Sequence, residues 1–462
     1  MNSASDEGSE KRSEQGKECR YDGWKRLAGG DGANRRTDRP TDRLSDDDDD
    51  DGDGRTDERT TRRATDRPTD RPTVQARATG DDDDDGPISA EEQQAIHDLR
   101  TILPSIECLE DSYILRWLRA KDQRFDETAD ALKKHVTFRK AWELDSIASW
   151  EAPECLEKYC GYGFLSDKDG RPILMSLLGN MDVEGMLKSV ASLDYIKFSL
   201  AAIEKGLQLC SQKAKQTGRP FEQMMLVFDL DHIGSAHFSC KQFASSFTTL
   251  VTLFQEHYPL VLRKILIIRA PEMARIAYAS ITAILSDPIT RLIEMPSEAD
   301  WKWALAQYVN LDGWPIHWGG NRSENGDPKC PATIRYGMGP VPSDYFVDPK
   351  TAMPDYDQLT TVYAGDKHLI SIRIKEKSRI CWQYMTDDDD IGFAIHFDPS
   401  FQANNLTEME TVFPYIRLEC TNVPISGHYV AEKAGNYIIE FDNYYSWFSA
   451  KQLRYNIEIE EL

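Results

Sequence analysis

The chain has 462 residues, with 55 Lys and Arg against 78 Asp and Glu, a formal net charge of −23. That balance excludes nucleic acid as the main partner and disfavours electrostatic adsorption onto an anionic bilayer. A hydrophobic content of 40% suits two or three cored domains, and the absence of any apolar run of about 18 residues argues against a membrane span.

Residues 1–86 are poor in apolar side chains. TDRP recurs at Thr37–Pro40, Thr65–Pro68 and Thr69–Pro72, and Asp runs fill 46–51 and 81–85. Such a segment buries too little surface to offset chain entropy and predicts a disordered low-complexity tail. The Asp runs lack the spaced ligands and turn glycine of a calcium loop, so no metal is expected. Without an apolar leader, and with nine cysteines and no C-x-x-C pair, the chain reads as cytoplasmic with reduced thiols.

Residues 87–150 carry a helical pattern and predict an N-terminal helical bundle. Ser89 followed by Glu92 is a capping box, and Ile114, Leu115, Leu118, Leu132 and Val136 recur at helical spacing. Arg116, Arg119, Lys121, Arg124, Lys133, Lys134, Arg139 and Lys140 concentrate positive charge here, which reads as a solvated helix face, with membrane docking as the alternative.

Residues 151–322 alternate short apolar runs with amphipathic stretches. The runs at 171–178, 223–230 and 264–270 predict buried parallel strands, and 191–216 and 239–256 predict crossover helices. After Ala270-Pro271 comes a stretch to 287 that is apolar on every side. A fully buried core helix would explain it. So would a helix that closes an apolar cavity on one side and meets a membrane on the other. The cavity reading selects Phe228 and Ile267 from the strands, Phe247, Leu250 and Phe254 from the preceding helix, and Met273, Ile276, Ala277, Ile281 and Leu285 from the closing segment.

Residues 330–462 change to period-two alternation in short runs separated by Gly, Pro, Asn and Asp, predicting an antiparallel β-sandwich. Asp387–Asp390 lies between two such runs as a hairpin loop. No nucleophile elbow, phosphate-cradling loop or zinc-protease motif is present, so no catalytic residue and no cofactor is expected. Asp229, Asp231, His232 and His237 read as a polar loop at a strand end.

The segments ILRWLRA and ALKKHVTFRK, then LVFDLDHIG, FQEHYPLVLRKILIIRAP and ILSDP, resemble CRAL-TRIO lipid-binding proteins. Downstream, NGDPKCPATIRYG, WQYMTDDDDIGFAIHF and YIIEFDNYYSWFSAKQLRYNIEI resemble a GOLD domain. The resemblance implies a multidomain chain: helical bundle, α/β lipid-binding domain, then an all-β, jelly-roll-like GOLD sandwich. It implies a non-enzymatic carrier that encloses one hydrophobic lipid under a gate helix, with tocopherol, isoprenoids and phospholipids among the family's ligands. Its implied partners are that lipid, a transiently and peripherally contacted membrane, and a protein recruited through the GOLD domain. If recruitment dominated, the chain would be a lipid-regulated trafficking adaptor. Where phosphoinositide-binding members carry a Glu and a Lys, this chain has Thr249 and Thr282. That joint loss implies a less polar ligand.

Overall fold

The structure, a computed structural model, describes residues 88–462 except 219–221, 354–355 and 402–404. The tail expected over 1–86 lies outside the described residues. α1 (Ala90–Ile102) starts on its capping box. Glu92 N donates to Ser89 Oγ at 3.1 Å, and Ser89 N donates to Glu92 Oε2 at 2.9 Å. α1 packs with α2 (Asp111–Ala120) and α3 (Phe125–Ala141) around Ile96, Leu99, Ile114, Trp117, Leu118 and Leu132.

The basic residues on these helices are not one solvated face. Arg116 is buried over the Tyr113 ring, Arg119 pairs with Glu92 at 3.0 Å, and Arg139 pairs with buried Glu204 at 2.8 Å. A cation withdrawn from water needs an anionic or aromatic partner, and these three have found theirs inside the molecule.

α4 (Glu154–Tyr159) leads into a six-stranded sheet of β1 (Tyr162–Ser166), β2 (Pro172–Ser176), β3 (Met224–Asp229), β4 (Leu262–Ile268), β5 (Ile293–Glu294) and β6 (Ile334–Arg335). Their order is β5-β4-β3-β2-β1-β6. β2 to β5 run parallel, and β1 is antiparallel to both β2 and β6. Parallel neighbours need crossovers. These are α5 (Val183–Leu187) with α6 (Ser192–Thr217), α7 (Ser235–Ser239) with α8 (Lys241–His257), and α9 (Glu272–Thr282) with α10 (Asp287–Leu292).

One face of the sheet packs Met175, Met225, Val227, Leu266 and Ile268 against Trp301 of α11 (Trp301–Tyr308) and against Trp314 and Trp318 beyond it. The alternate residues Leu226, Phe228, Ile265 and Ile267 point to the opposite face. Both faces are covered, which is why these strands read as unbroken apolar runs.

The single helix expected over 271–287 is two. α9 ends at Thr282, and α10 begins at Asp287 with Pro288 in its first turn. Proline pushes its predecessor away from helical backbone in mid-run but suits a helix start.

The remaining strands are β7 (Gln358–Val362), β8 (Lys367–Ile374), β9 (Ser378–Thr386), β10 (Asp390–Asp398), β11 (Glu410–Glu419), β12 (Ile425–Ala431), β13 (Gly435–Asp442) and β14 (Lys451–Glu461). They form two four-stranded antiparallel sheets, β11-β10-β13-β8 and β12-β9-β14-β7, around Trp382, Tyr384, Phe393, Phe413 and Phe441. β9 and β10 lie in different sheets, so Asp387–Asp390 is an inter-sheet crossing and not a hairpin. Asp390 itself is 3% exposed and pairs with Arg417 at 2.5 Å.

β11 runs against α3, α6 and α8. Ser192 Oγ donates to Glu419 O at 2.6 Å, Ser245 Oγ to Asp390 Oδ2 at 3.1 Å, and Thr249 Oγ1 to Arg417 O at 3.0 Å. One buried hydrophobic cluster includes Phe243 and Leu253 of α8 together with Phe413 and Ile416 of β11.

Candidate functional site

Between the second sheet face and helices α6, α8 and α9 lies a cavity of about 540 Å³, within the range of small-molecule sites. Leu226, Phe228, Ile265 and Ile267 line it from the sheet, Phe198 and Ala202 from α6, and Phe243, Phe247, Leu250 and Phe254 from α8. Ala274, Ala277, Tyr278 and Ile281 line it from α9, with Ile284 and Leu285 just beyond. Among the described residues, no Asp, Glu, Lys or Arg lines the cavity.

The residues selected from the sequence divide cleanly. Phe228, Phe247, Leu250, Phe254, Ile267, Ala277, Ile281 and Leu285 all lie in the lining. Met273 and Ile276 do not: they are 42% and 70% exposed on the outer face of α9. Thr249 and Thr282 also lie outside the lining. Thr249 is bonded to the sandwich, and Thr282 Oγ1 donates to Ala279 O within its own helix at 2.8 Å.

Sequence reasoning missed the α6 wall and His237. His237 Nδ1 accepts from Gly234 N at 3.2 Å, so in the neutral ring Nε2 carries the proton. That Nε2 is buried without a hydrogen-bond partner, on a residue that lines the cavity. The ring adds a polar group to a mainly apolar lining that also carries Ser176, Ser199, Thr248, Gln255 and Tyr278. The signal was present in the loop His232–His237, but nothing in the spacing says which histidine turns inward.

α9 is held lightly. Ala274 is its buried residue among those described. Its polar ties are few. Arg275 Nη1 donates to Met295 O at 3.2 Å and Nη2 to Pro296 O. Just past the helix, Gln255 of α8 forms a two-way clasp: its Nε2 donates to Ile284 O at 3.1 Å, and Ser286 N donates to its Oε1 at 2.6 Å.

The turn before α9 is built differently. Arg269 has φ +55°, a left-handed backbone that costs a non-glycine residue about 1 kcal/mol. Its guanidinium donates to Asp229 Oδ1 at 2.8 Å and to Asp231 Oδ2 at 2.6 Å, and Trp318 Nε1 donates to Asp229 Oδ2 at 2.8 Å. The acidic pair at the end of β3 therefore fixes the backbone of this turn. No place for it as hydrolytic machinery is needed to explain its geometry.

A family described as CRAL/TRIO domain matches residues 156–320, and one described as F28H7_8_C:-like, C-terminal domain matches residues 346–461. Protein ctg-1 of Caenorhabditis elegans is 76% identical over 371 residues, spanning 80% of this chain and 97% of that protein. Among solved structures, the one titled "Crystal structure of Sfh5" covers 56% of this chain and 96% of that chain at 15% identity, with a TM-score of 0.43. Among the described residues, no helix is long and apolar enough to cross a membrane. From the near-complete span shared with ctg-1 and the domain match laid over the cavity, this chain belongs to the CRAL/TRIO family, whose members bind hydrophobic lipids and are generally transfer proteins rather than enzymes.

Proposed function

We propose that the protein carries one weakly polar lipid in the α6–α8–α9 cavity and exchanges it at membranes by moving α9 as a gate. The carrying observation is the lining itself: mainly apolar, free of formal charge among the described residues, and offering the His237 donor. A phosphorylated headgroup drawn into such a space would have no cationic partner. A tocopherol-like molecule bears a single hydroxyl, and an isoprenoid hydrocarbon brings no polar group that needs a partner. Removing acyl or isoprenoid surface from water contributes about 0.8 kcal/mol per buried methylene, which offsets extraction from a bilayer.

In this reading residues 87–150 are the CRAL-TRIO N-terminal helical region, 151–322 the lipid-binding domain and 330–462 a GOLD domain. That order resembles supernatant protein factor, also called tocopherol-associated protein. Native mass spectrometry after incubation with mixed liposomes tests the ligand class. Retention of a sterol-pathway isoprenoid or tocopherol is expected, and stoichiometric retention of phosphatidylinositol would refute it. Catalytic movement of ligand between donor and acceptor vesicles separates a carrier from a trafficking adaptor, which would move none.

A further inference from the structure

Four connections cross between the sheets at one end of the sandwich: 363–366, 387–389, 420–424 and 443–450. The last carries Tyr444, Trp447 and Phe448, which are 69%, 87% and 96% exposed, and Tyr363 on the neighbouring turn is 64% exposed. Gly365 N donates to Asn443 O at 3.1 Å and joins the two turns. A single exposed aromatic is ordinary, but four on two joined turns form a patch that calls for a partner.

The longer turn is rigidly built. Asn443, fully buried, donates from Nδ2 to Val362 O at 3.0 Å and to Ser449 O at 2.8 Å. Tyr444 N donates to Asp442 Oδ1 at 2.6 Å, and Ser446 N to Asn443 O at 3.2 Å. Residues 443–450, NYYSWFSA, contain no charge.

We infer that this turn docks the protein on a bilayer of zwitterionic lipid, with Trp447 and Phe448 entering the boundary between headgroups and acyl chains and Tyr444 and Tyr363 resting at headgroup level. Side chains this exposed project as a convex tip, which a fluid bilayer accommodates. Trp and Tyr are the residues that favour its interface. Asn443 and Asp442 hold the base of the turn, which fixes where its aromatic side chains project. The charges at this end exclude an anionic leaflet. Asp366 and Asp387–Asp389 would be repelled by it. The nearby cations are already engaged, Lys367 by Glu440 and Asp442 and Lys451 by Asp390.

The tip is also tied to the cavity. Tyr445 Oη donates to Asp390 Oδ1 at 2.8 Å, and Ser245 of α8 donates to Asp390 Oδ2 at 3.1 Å. Ser245 is flanked on α8 by Ala244 and Thr248, two lining residues that solvent reaches. One buried carboxylate thus joins the docking turn to the cavity wall near its opening. What the docking serves rests on the carrier reading; docking itself does not require a loaded cavity.

Co-sedimentation with phosphatidylcholine vesicles tests this. The full chain is expected to sediment with the vesicles, and the double variant Trp447→Ser/Phe448→Ser to bind about tenfold more weakly or less, since two aromatic side chains no longer leave water. Both residues are exposed, so the thermal transition should not move. Vesicles containing brominated phosphatidylcholine should quench tryptophan fluorescence of the wild type, and Trp447→Phe should sediment normally but lose part of that quenching. Equal binding by wild type and double variant, or quenching unchanged in Trp447→Phe, overturns the inference. Binding strengthened about tenfold by added phosphatidylserine overturns the choice of a zwitterionic surface. Native mass spectrometry of the double variant separates this from the carrier reading. A variant that loads lipid but does not dock supports the inference, whereas a wild type that docks but never loads lipid refutes the carrier reading alone.

Discussion

At the scale of single residues, two histidines make opposite statements. His237 sits at the cavity with an unpartnered Nε2, so its value lies in what a ligand brings to it. Replacing it with Leu removes a hydrogen bond worth about 1–2 kcal/mol. Affinity for a hydroxyl-bearing lipid such as tocopherol should fall about fivefold to thirtyfold, while affinity for the hydrocarbon squalene holds or rises. Competition measured by native mass spectrometry checks this, and a parallel loss for both ligands would contradict it. His257 instead lies 3% exposed, stacked on Phe138 with ring centroids 3.8 Å apart. Burial first, and the Lys134 charge second, lower its pKa from 6.5 to about 3. The folded ring therefore stays neutral while the unfolded chain gains a proton below pH 6.5. Stability is full above that pH and declines as pH falls toward 3. Between pH 7 and pH 5 the loss from this group is about 2 kcal/mol. Urea unfolding at both pH values should show His257→Phe removing about that much of the difference, and an unaltered difference would contradict the assignment.

At the scale of elements, α9 combines an inner face suited to the cavity with an outer face suited to nothing in the protein. Its retention depends on a small number of polar ties, of which the Gln255 clasp is the most accessible to mutation. Gln255→Ala removes two hydrogen bonds and should ease opening by about 1–2 kcal/mol. Release of a preloaded fluorescent lipid, followed by stopped flow, should accelerate about fivefold to thirtyfold with little change in melting temperature. Unchanged release kinetics would mean that the ligand leaves by another route. The sequence announced this element through its missing polar face, and it announced the strands beneath through continuous apolar runs. It was less informative about orientation within the helix. Met273 and Ile276 are as hydrophobic as Ile281, and only the packed direction of the helix decides which of them face out. The break between α9 and α10 was legible in Pro288 but was outweighed by the uninterrupted apolar pattern. The docking turn was visible as NYYSWFSA, yet nothing local distinguishes a core aromatic from an exposed one.

At the scale of the whole molecule, the decisive fact is that the sandwich is packed against the helices that wall the cavity. This packing also decides where Thr249 spends its hydroxyl. Thr249 spends its hydroxyl on Arg417 O of β11, and Thr282 bonds back to its own helix, so neither reports on the cavity interior. Restoring the charged pair as Thr249→Glu/Thr282→Lys should therefore fail to confer phosphatidylinositol binding. The glutamate would meet a carbonyl oxygen in place of the donor bond it removes, weakening the docking of β11 on α8 by about 1–3 kcal/mol. Thr282→Lys alone, at a half-buried position near the end of α9, should be nearly neutral. Calorimetry should show the double variant melting earlier than Thr282→Lys by several degrees, with phosphatidylinositol absent from its native mass spectrum. Stoichiometric phosphatidylinositol on the double variant would mean that these positions do reach the ligand, and that the sandwich moves off α8 when lipid is loaded.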